Sequence, residues 1–209
     1  MKAPQSDDLR PYHHGDLRQG LVAAARRLLE KDGAAALSLR AVAREAGVSP
    51  AAPYHHFKDK SDLLEAVADE GWRLLSAAVG EARDKLPAGQ SAVAEIGVAY
   101  ARFALHHPDL YRVMYDSSRD HESLPRHLEQ DADSAYAKLR AAMIQAGADP
   151  SETRELELAI TAMWCMAHGL SEMAGFKQVE ALQAACGGET PFLRAVLRHL
   201  DVVPHPQGY

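Results

Sequence analysis

Residues 38–64 read SLRAVAREAGVSPAAPYHHFKDKSDLL, and the fold is decided there. Ser38 is a good helix N-cap, because its hydroxyl can accept from a free backbone N–H of the first turn. Leu39, Val42, Ala43 and Ala46 recur at helical spacing and make one apolar stripe. Gly47 can close that helix in the left-handed conformation, which costs glycine nothing sterically. Val48 is placed to fill the gap between two helices. Ser49 is the next N-cap, and Pro50 suits the first position of the helix behind it. A helix, a glycine turn and a second short helix make a helix-turn-helix. The second helix of such a motif lies in the major groove of DNA, and the first crosses the backbone.

Phosphate-binding groups follow in the chain. Tyr54 and His56 are two residues apart near the end of the second helix, and each can donate to a phosphate oxygen. Lys60 follows Asp59, which is the expected N-cap of the next helix. An ammonium beside free N–H groups suits an anion. Phe57 is apolar and is expected to clamp the recognition helix to the core. Ala51 and Ala52 can touch a thymine methyl but cannot hydrogen-bond to a base. Arg40 and His55 are the better candidates for base edges, with DNA shape carrying much of the rest. Ser38 and Ser49, at the two helix N-termini, complete the expected DNA-contacting set.

Taken together, residues 17–64 resemble the DNA-binding domain of the tetracycline-repressor (TetR/AcrR) family. The matching pieces are an Ala-rich first helix ending at Gly33, Ser38-Leu39-Arg40, Val42-Ala43, Ala46-Gly47-Val48-Ser49, Tyr54-x-His56-Phe57, Lys60 and Leu63-Leu64. One position departs from the pattern, since the family generally has an aliphatic residue where Pro53 stands. Proline cannot donate a helical backbone bond, and it biases Ala52 away from helix. Either the helix starts near Ala52 or its first turn is distorted. The resemblance implies a homodimer on a pseudo-palindromic double-stranded operator. It also implies repression relieved by a small-molecule effector, whose identity the sequence does not give.

Charge is distributed in the same sense. The chain carries a formal net charge of −6, but residues 1–60 hold ten Lys/Arg against seven Asp/Glu. The remaining residues hold thirteen against twenty-two. Local charge is what a phosphate backbone meets. Two cysteines, Cys165 and Cys186, form no Cys-x-x-Cys pair and no disulfide framework. The N-terminus is polar and no apolar run approaches the ~20 residues of a membrane span. A cytoplasmic protein with no membrane association is expected. Gly-x-Ser-x-Gly, P-loop and Gly-x-Gly-x-x-Gly motifs are missing, and no spacing links Ser, His and Asp into a triad. No enzyme and no cofactor are expected.

The periodicity predicts an all-α fold in which an N-terminal three-helix helix-turn-helix domain precedes a C-terminal helical bundle for ligand binding and dimerisation. Residues 1–15 read as a flexible arm, 16–64 as the DNA-binding domain, and 65–209 as the ligand-binding and dimerisation domain. Helices are predicted over about Asp16–Lys31, Lys60–Leu86, Ser91–His106, a short stretch from Pro108, Pro125–Gly147, Glu152–Met173 and Pro191–Leu200. The fourth helix has Leu63, Val67, Trp72 and Leu74 to bury. The domains join at Pro87-Ala88-Gly89 or along that fourth helix.

The run Met163-Trp164-Cys165-Met166-Ala167-His168-Gly169-Leu170 resembles the Trp…His-Gly signature of one C-terminal subtype of the same family. In that subtype its helix and the final helix form the dimer interface, which implies Leu170, Leu193, Val196, Leu197 and Leu200. Trp164 and His168 are four apart and share a helix face. Aromatic, methionine and histidine residues on neighbouring predicted helices give the expected pocket: Phe103, His107, Tyr111, Met114, Tyr115, Tyr136, Met143, Met163, Trp164 and His168. Such walls suit a mostly apolar ligand, although the same residues also build ordinary bundle cores. The pairs His13-His14, His55-His56 and His106-His107 point about 100° apart on a helix and chelate poorly. No metal site is expected, and a metal- or partner-responsive protein without an organic ligand is the alternative reading.

Overall fold

The computed structural model describes residues 14–86, 92–119 and 133–198. All regular structure among them is helical: α1 (His14–Asp32), α2 (Leu39–Glu45), α3 (Lys60–Asp84), α4 (Ala92–His106), α5 (Pro108–Arg119), α6 (Ala135–Gln145), α7 (Thr153–Ala174), α8 (Lys177–Ala185) and α9 (Glu189–Arg198). The chain divides into two compact units between Val67 and Ala68. Most of the arm lies outside the described residues, as do Pro87-Ala88-Gly89, Pro125 and Leu200.

In the first unit α1 buries Leu21, Ala24, Ala25, Leu28 and Leu29. These positions fall on one face at i, i+3, i+4 spacing, and burying each leucine contributes about 1.5–3 kcal/mol. Against this face pack α2 and a 3₁₀ turn at Ala34–Ala36. The Arg27 side chain, on α1, donates to Glu45 at the end of α2, 3.0 Å away. The first turns of α3 add Leu63, Ala66 and Val67 to the buried set.

In the second unit α4 is the central helix. Val93, Ile96, Gly97, Val98, Tyr100, Ala101, Phe103 and Ala104 are buried, leaving little of its circumference to solvent. It packs on α5, α6, α7 and α9, as a helix apolar nearly all round must. A Cβ on Gly97 would come 3.0 Å from Leu197 and 3.3 Å from the Met163 sulfur, so side chains of α9 and α7 pack directly onto α4 there. Arg194 of α9 forks onto Glu95 of α4, with Nη2 donating to Oε2 at 2.8 Å.

Several expectations need correction. On α3 it is Leu75 that is fully buried, while Leu74 is half-buried, because 63, 67, 71, 75 and 79 form the inward row. The helix expected from Pro125 does not run through to Gly147. Ser134 is extended, at φ −68° and ψ 154°, and its hydroxyl accepts from the Ala137 N–H at 3.0 Å, so α6 begins at Ala135. The α8 helix was not foreseen; it buries none of its residues, so its sequence carries little apolar periodicity.

Candidate functional site

Local chemistry builds the turn of the first unit. The Ser38 hydroxyl accepts from the Ala41 N–H at 3.1 Å and starts α2. At its end Ala46 is the C-cap and Gly47 takes φ 70°, which an L side chain reaches only with strain. The Gly47 N–H donates to the Arg44 carbonyl at 3.2 Å and the Val48 N–H to the Ala43 carbonyl at 3.0 Å. This pair of bonds is the Schellman arrangement, and it fixes the exit direction of the chain.

The recognition segment is a 3₁₀ turn over Ala52–His55, with Pro53 at its start and Ala51 as its N-cap. The cause is the missing N–H of Pro53, which removes the bond to Ser49 that an α-helix would make there. Bonds of the tighter kind replace it: Ala52 N–H to Ser49 at 3.0 Å and Tyr54 N–H to Ala51 at 3.1 Å. Pro53 and Phe57 are buried, and the Arg18 guanidinium sits 5.3 Å over the Phe57 ring. Phe57 is therefore the clamp expected from the sequence, and its Arg18 partner was not foreseen.

Tyr54 is 53% exposed, an unusual use of an aromatic side chain in so small a unit. Arg40, Ser49, Ala51, His55 and Lys60 are exposed, and Ala52 and His56 half-buried. Exposed Lys58 adds a cation between them that the sequence reading passed over. The start of α3 is more occupied than expected. Asp59 accepts from the Asp62 N–H and Asp62 from the Lys58 N–H, both at 2.9 Å. The Lys60 ammonium donates to the Ala34 carbonyl at 2.9 Å. Two carboxylates thus fill part of the helix end read as an anion site, and the nearby ammonium is shared with a backbone carbonyl.

The second unit holds a polar cluster inside an aromatic one. The Trp164 indole N–H donates to the Tyr115 hydroxyl at 2.8 Å and to the Tyr100 hydroxyl at 3.0 Å. Tyr100 and Tyr111 hydroxyls are 2.8 Å apart; Tyr100 also bonds Tyr115, and Tyr111 bonds Nδ1 of His168. Burial pushes all three phenols above their ordinary value, and in Tyr100 and Tyr111 the neighbouring Tyr115 adds to it, so they stay neutral. Separately, Tyr136 donates to Glu157 and is pushed up to about 12, first by burial and then by that bond.

Two cavities flank this cluster. One, of about 40 Å³, is walled almost entirely by apolar groups including Leu75, Ile96, Leu139, Met163 and the rings of Tyr100 and Trp164. It has room for a water molecule or so. The other is a cleft of about 620 Å³ lined by Tyr111, Tyr115 and His168 together with Arg112, Asp116 and Glu172. Its size is that of a small-molecule site. Of the expected pocket residues, Tyr136, Met163 and Trp164 line the small cavity and Tyr111, Tyr115 and His168 the cleft. Phe103, Met114 and Met143 are buried and line neither, and His107 is half-buried with its ring 5.0 Å from that of Phe103. Trp72 was read as a residue to bury; its ring packs edge-on against Tyr115, 5.4 Å between centroids, and Tyr100 joins the cluster through its hydroxyl, placements that arise only where α3, α4 and α5 meet.

The expected interface residues are also redistributed. Leu193 and Leu197 are 0% and 2% exposed, turned onto their own bundle, and so cannot form a surface that meets a partner. Leu170 is buried and Val196 half-buried. Among the described residues of this unit, the large apolar side chains that are exposed are instead Leu158 and Met173 on α7, Phe176 just beyond it and Leu182 on α8. Among the described residues no three His, Cys, Asp or Glu side chains come together as metal ligands, and no helix is long and apolar enough to cross a membrane.

Residues 21–67 match the family described as "Bacterial regulatory proteins, tetR family", and residues 93–198 match "Tetracyclin repressor-like, C-terminal domain". A protein with unknown function from Rhodococcus sp. RHA1 is 30% identical, with a TM-score of 0.65 over 90% of this chain and 98% of that one. BioQ of Mycobacterium smegmatis is 25% identical, with a TM-score of 0.54 over 89% of this chain and 94% of its own. The multidrug binding protein EbrR, solved with imidazole, shares the fold at 21% identity and a TM-score of 0.57, over 99% of this chain and 100% of its own.

Proposed function

The chain belongs to the tetR family of bacterial regulatory proteins, a family of DNA-binding transcription regulators rather than enzymes, and we propose that it is a repressor released from its operator by a small molecule. The observation that carries the ligand response is the cleft of about 620 Å³ in the second unit, where Tyr111 and Tyr115 of α5 meet His168 of α7. A regulator with no effector has no need of a drug-sized cleft backed by a satisfied polar cluster.

Two copies related by a two-fold axis would hold two recognition turns at a fixed separation. Those turns reach successive major grooves, about 34–36 Å apart or a multiple of it. Tyr54, His56 and Lys60 take phosphates; Arg40 and His55 take base edges. Ligand in the cleft favours a state with another separation, and α3, which contributes residues to both units, is the proposed path. A graded response needs a coupling of ~1–3 kcal/mol, and a full switch ~5.5 kcal/mol.

The test is binding of the purified chain to the DNA flanking its own gene, across a salt series and against scrambled DNA. Tight, salt-sensitive preference for the native fragment is expected, and that fragment then serves to screen for molecules that release it. Equal, weak binding to both would reject an operator at that position.

A further inference from the structure

Four helices wall the small apolar cavity. Trp72, Leu75 and Val79 face it from α3, and Ala135, Tyr136 and Leu139 from α6, while α4 and α7 close the rest. The α4 wall is backed at Gly97, where side chains of α9 and α7 pack directly onto it. The seam between α3 and α6 is bridged differently, by an ammonium. Lys138 Nζ donates to Ser76 Oγ at 2.6 Å, to the Asp133 carbonyl at 2.8 Å and to the Ser76 carbonyl at 3.2 Å. The Ser76 hydroxyl donates in turn to the Asp133 carbonyl. Three acceptors thus match the three donors of an ammonium. Gly80, one turn after Ser76, makes room for this approach, since a Cβ there would come 3.3 Å from Cε of Lys138. Ser76 lies next to Leu75 and three before Val79; Lys138 lies next to Leu139 and three after Ala135. The tie therefore runs along the edge of the cavity, where its two walls meet.

A cavity of about 40 Å³ does not hold a benzene ring, which needs about 150 Å³. Any larger occupant must spread two of the walls. Ser76 is buried, but Lys138 is only half-buried, so water can take over the ammonium's bonds as α3 and α6 part. The polar atoms on the lining rings are already engaged: the Tyr136 hydroxyl bonds Glu157, and the Trp164 N–H bonds Tyr100 and Tyr115. An occupant gains there from apolar burial, and a polar group on it would lose its water without replacement. We propose that Lys138 is a positioning latch on a second, apolar binding site: it ties α3 to the start of α6, and a compact hydrocarbon of about toluene's size enters where that tie parts. This site is distinct from the cleft at Tyr111, Tyr115 and His168, and its behaviour is testable whether or not the cleft takes an effector.

Both tryptophans of the chain, Trp72 and Trp164, line this cavity, so the intrinsic fluorescence of the full chain reports on it. Toluene and phenol, two probes with the same ring, are titrated against that emission. Toluene is expected to bind, and phenol only more weakly. Lys138→Met keeps the apolar stem and loses the ammonium. It should tighten toluene about tenfold, because the open state no longer has to give up a hydrogen bond to a charged group. Ala135→Leu, which fills the cavity from α6, should remove the toluene response in both backgrounds. In the wild-type chain, toluene should speed reductive methylation of Lys138 severalfold and leave that of exposed Lys177 unchanged; this readout decides the matter even if Lys138→Met fails to fold. Equal or weaker toluene binding by Lys138→Met, with only a lower thermal midpoint, would reduce Lys138 to a structural tie and overturn the proposal. So would a response that survives Ala135→Leu, phenol bound as tightly as toluene, Lys138 methylation indifferent to toluene, or no toluene binding at all.

Discussion

At the scale of single residues, DNA contacts separate by what each side chain can offer. Tyr54 presents an exposed phenol from a turn whose neighbour Pro53 is buried. Tyr54→Phe should weaken binding roughly three- to tenfold on all sequences alike, measured on native and scrambled DNA; a loss confined to one base position would contradict the phosphate role. Arg40→Ala should instead relax preference at particular base pairs, by about 1–3 kcal/mol in a selection or mismatch series. Lys60 has two tasks, since its ammonium also holds the Ala34 carbonyl. The sequence named these side chains because short cap and turn motifs are local. It did not name the Lys60–Ala34 bond or Arg18 over Phe57, because each joins residues more than twenty positions apart.

At the scale of elements, α4 is held by close approach and by charge. Gly97→Val would push two further methyl groups toward Leu197 and Met163, both nearly fully buried, and should cost about 1–3 kcal/mol in denaturant unfolding. The Glu95–Arg194 pair makes a pH-dependent contribution. The hydrogen bond from Arg194 holds the Glu95 carboxyl below the usual carboxylate range. A lowered folded value means that this stability is fully present above the unfolded value, about 4.3. It is lost as pH falls through the lower folded one. Glu95→Gln should therefore lower the thermal midpoint near neutral pH, with the two curves converging in acid. Parallel curves across the whole range would show that the pair contributes no linkage. Periodicity located most helices, but it could not place the start of α6 or find α8. A Ser134 cap reads like any loop serine, and a helix that buries nothing has no stripe to read.

At the scale of the whole molecule, assembly is the open surface. Leu158 and Met173 on α7 are 54% and 55% exposed, with Phe176 and Leu182 close behind in the chain. Such an uncovered apolar stripe on the helix that carries Trp164 and His168 is the proposed contact between two copies. Leu158→Glu with Met173→Glu should shift sedimentation from dimer to monomer and weaken operator binding while leaving helical circular dichroism unchanged. An unchanged sedimentation profile would move the interface elsewhere. A charge at Leu193 or Leu197 should act differently, lowering stability, since both are inside the bundle.

The helix-turn-helix was legible in the amino-acid order because caps, a positive-φ glycine and an apolar stripe act within a few residues. Family membership followed from the same stretch. The C-terminal unit was legible only as a set of helices with aromatic and methionine residues to spend. Which of them became core and which became cleft depended on how α4, α5 and α7 pack. The same phenol is a core group or a ligand wall according to its neighbours. Phe103 and Met143 went one way, Tyr111 and Tyr115 the other, and the sequence spacing of all four is equally helical. Whether Leu197 faced a partner or its own bundle was decided likewise, by the room that Gly97 leaves for it on α4.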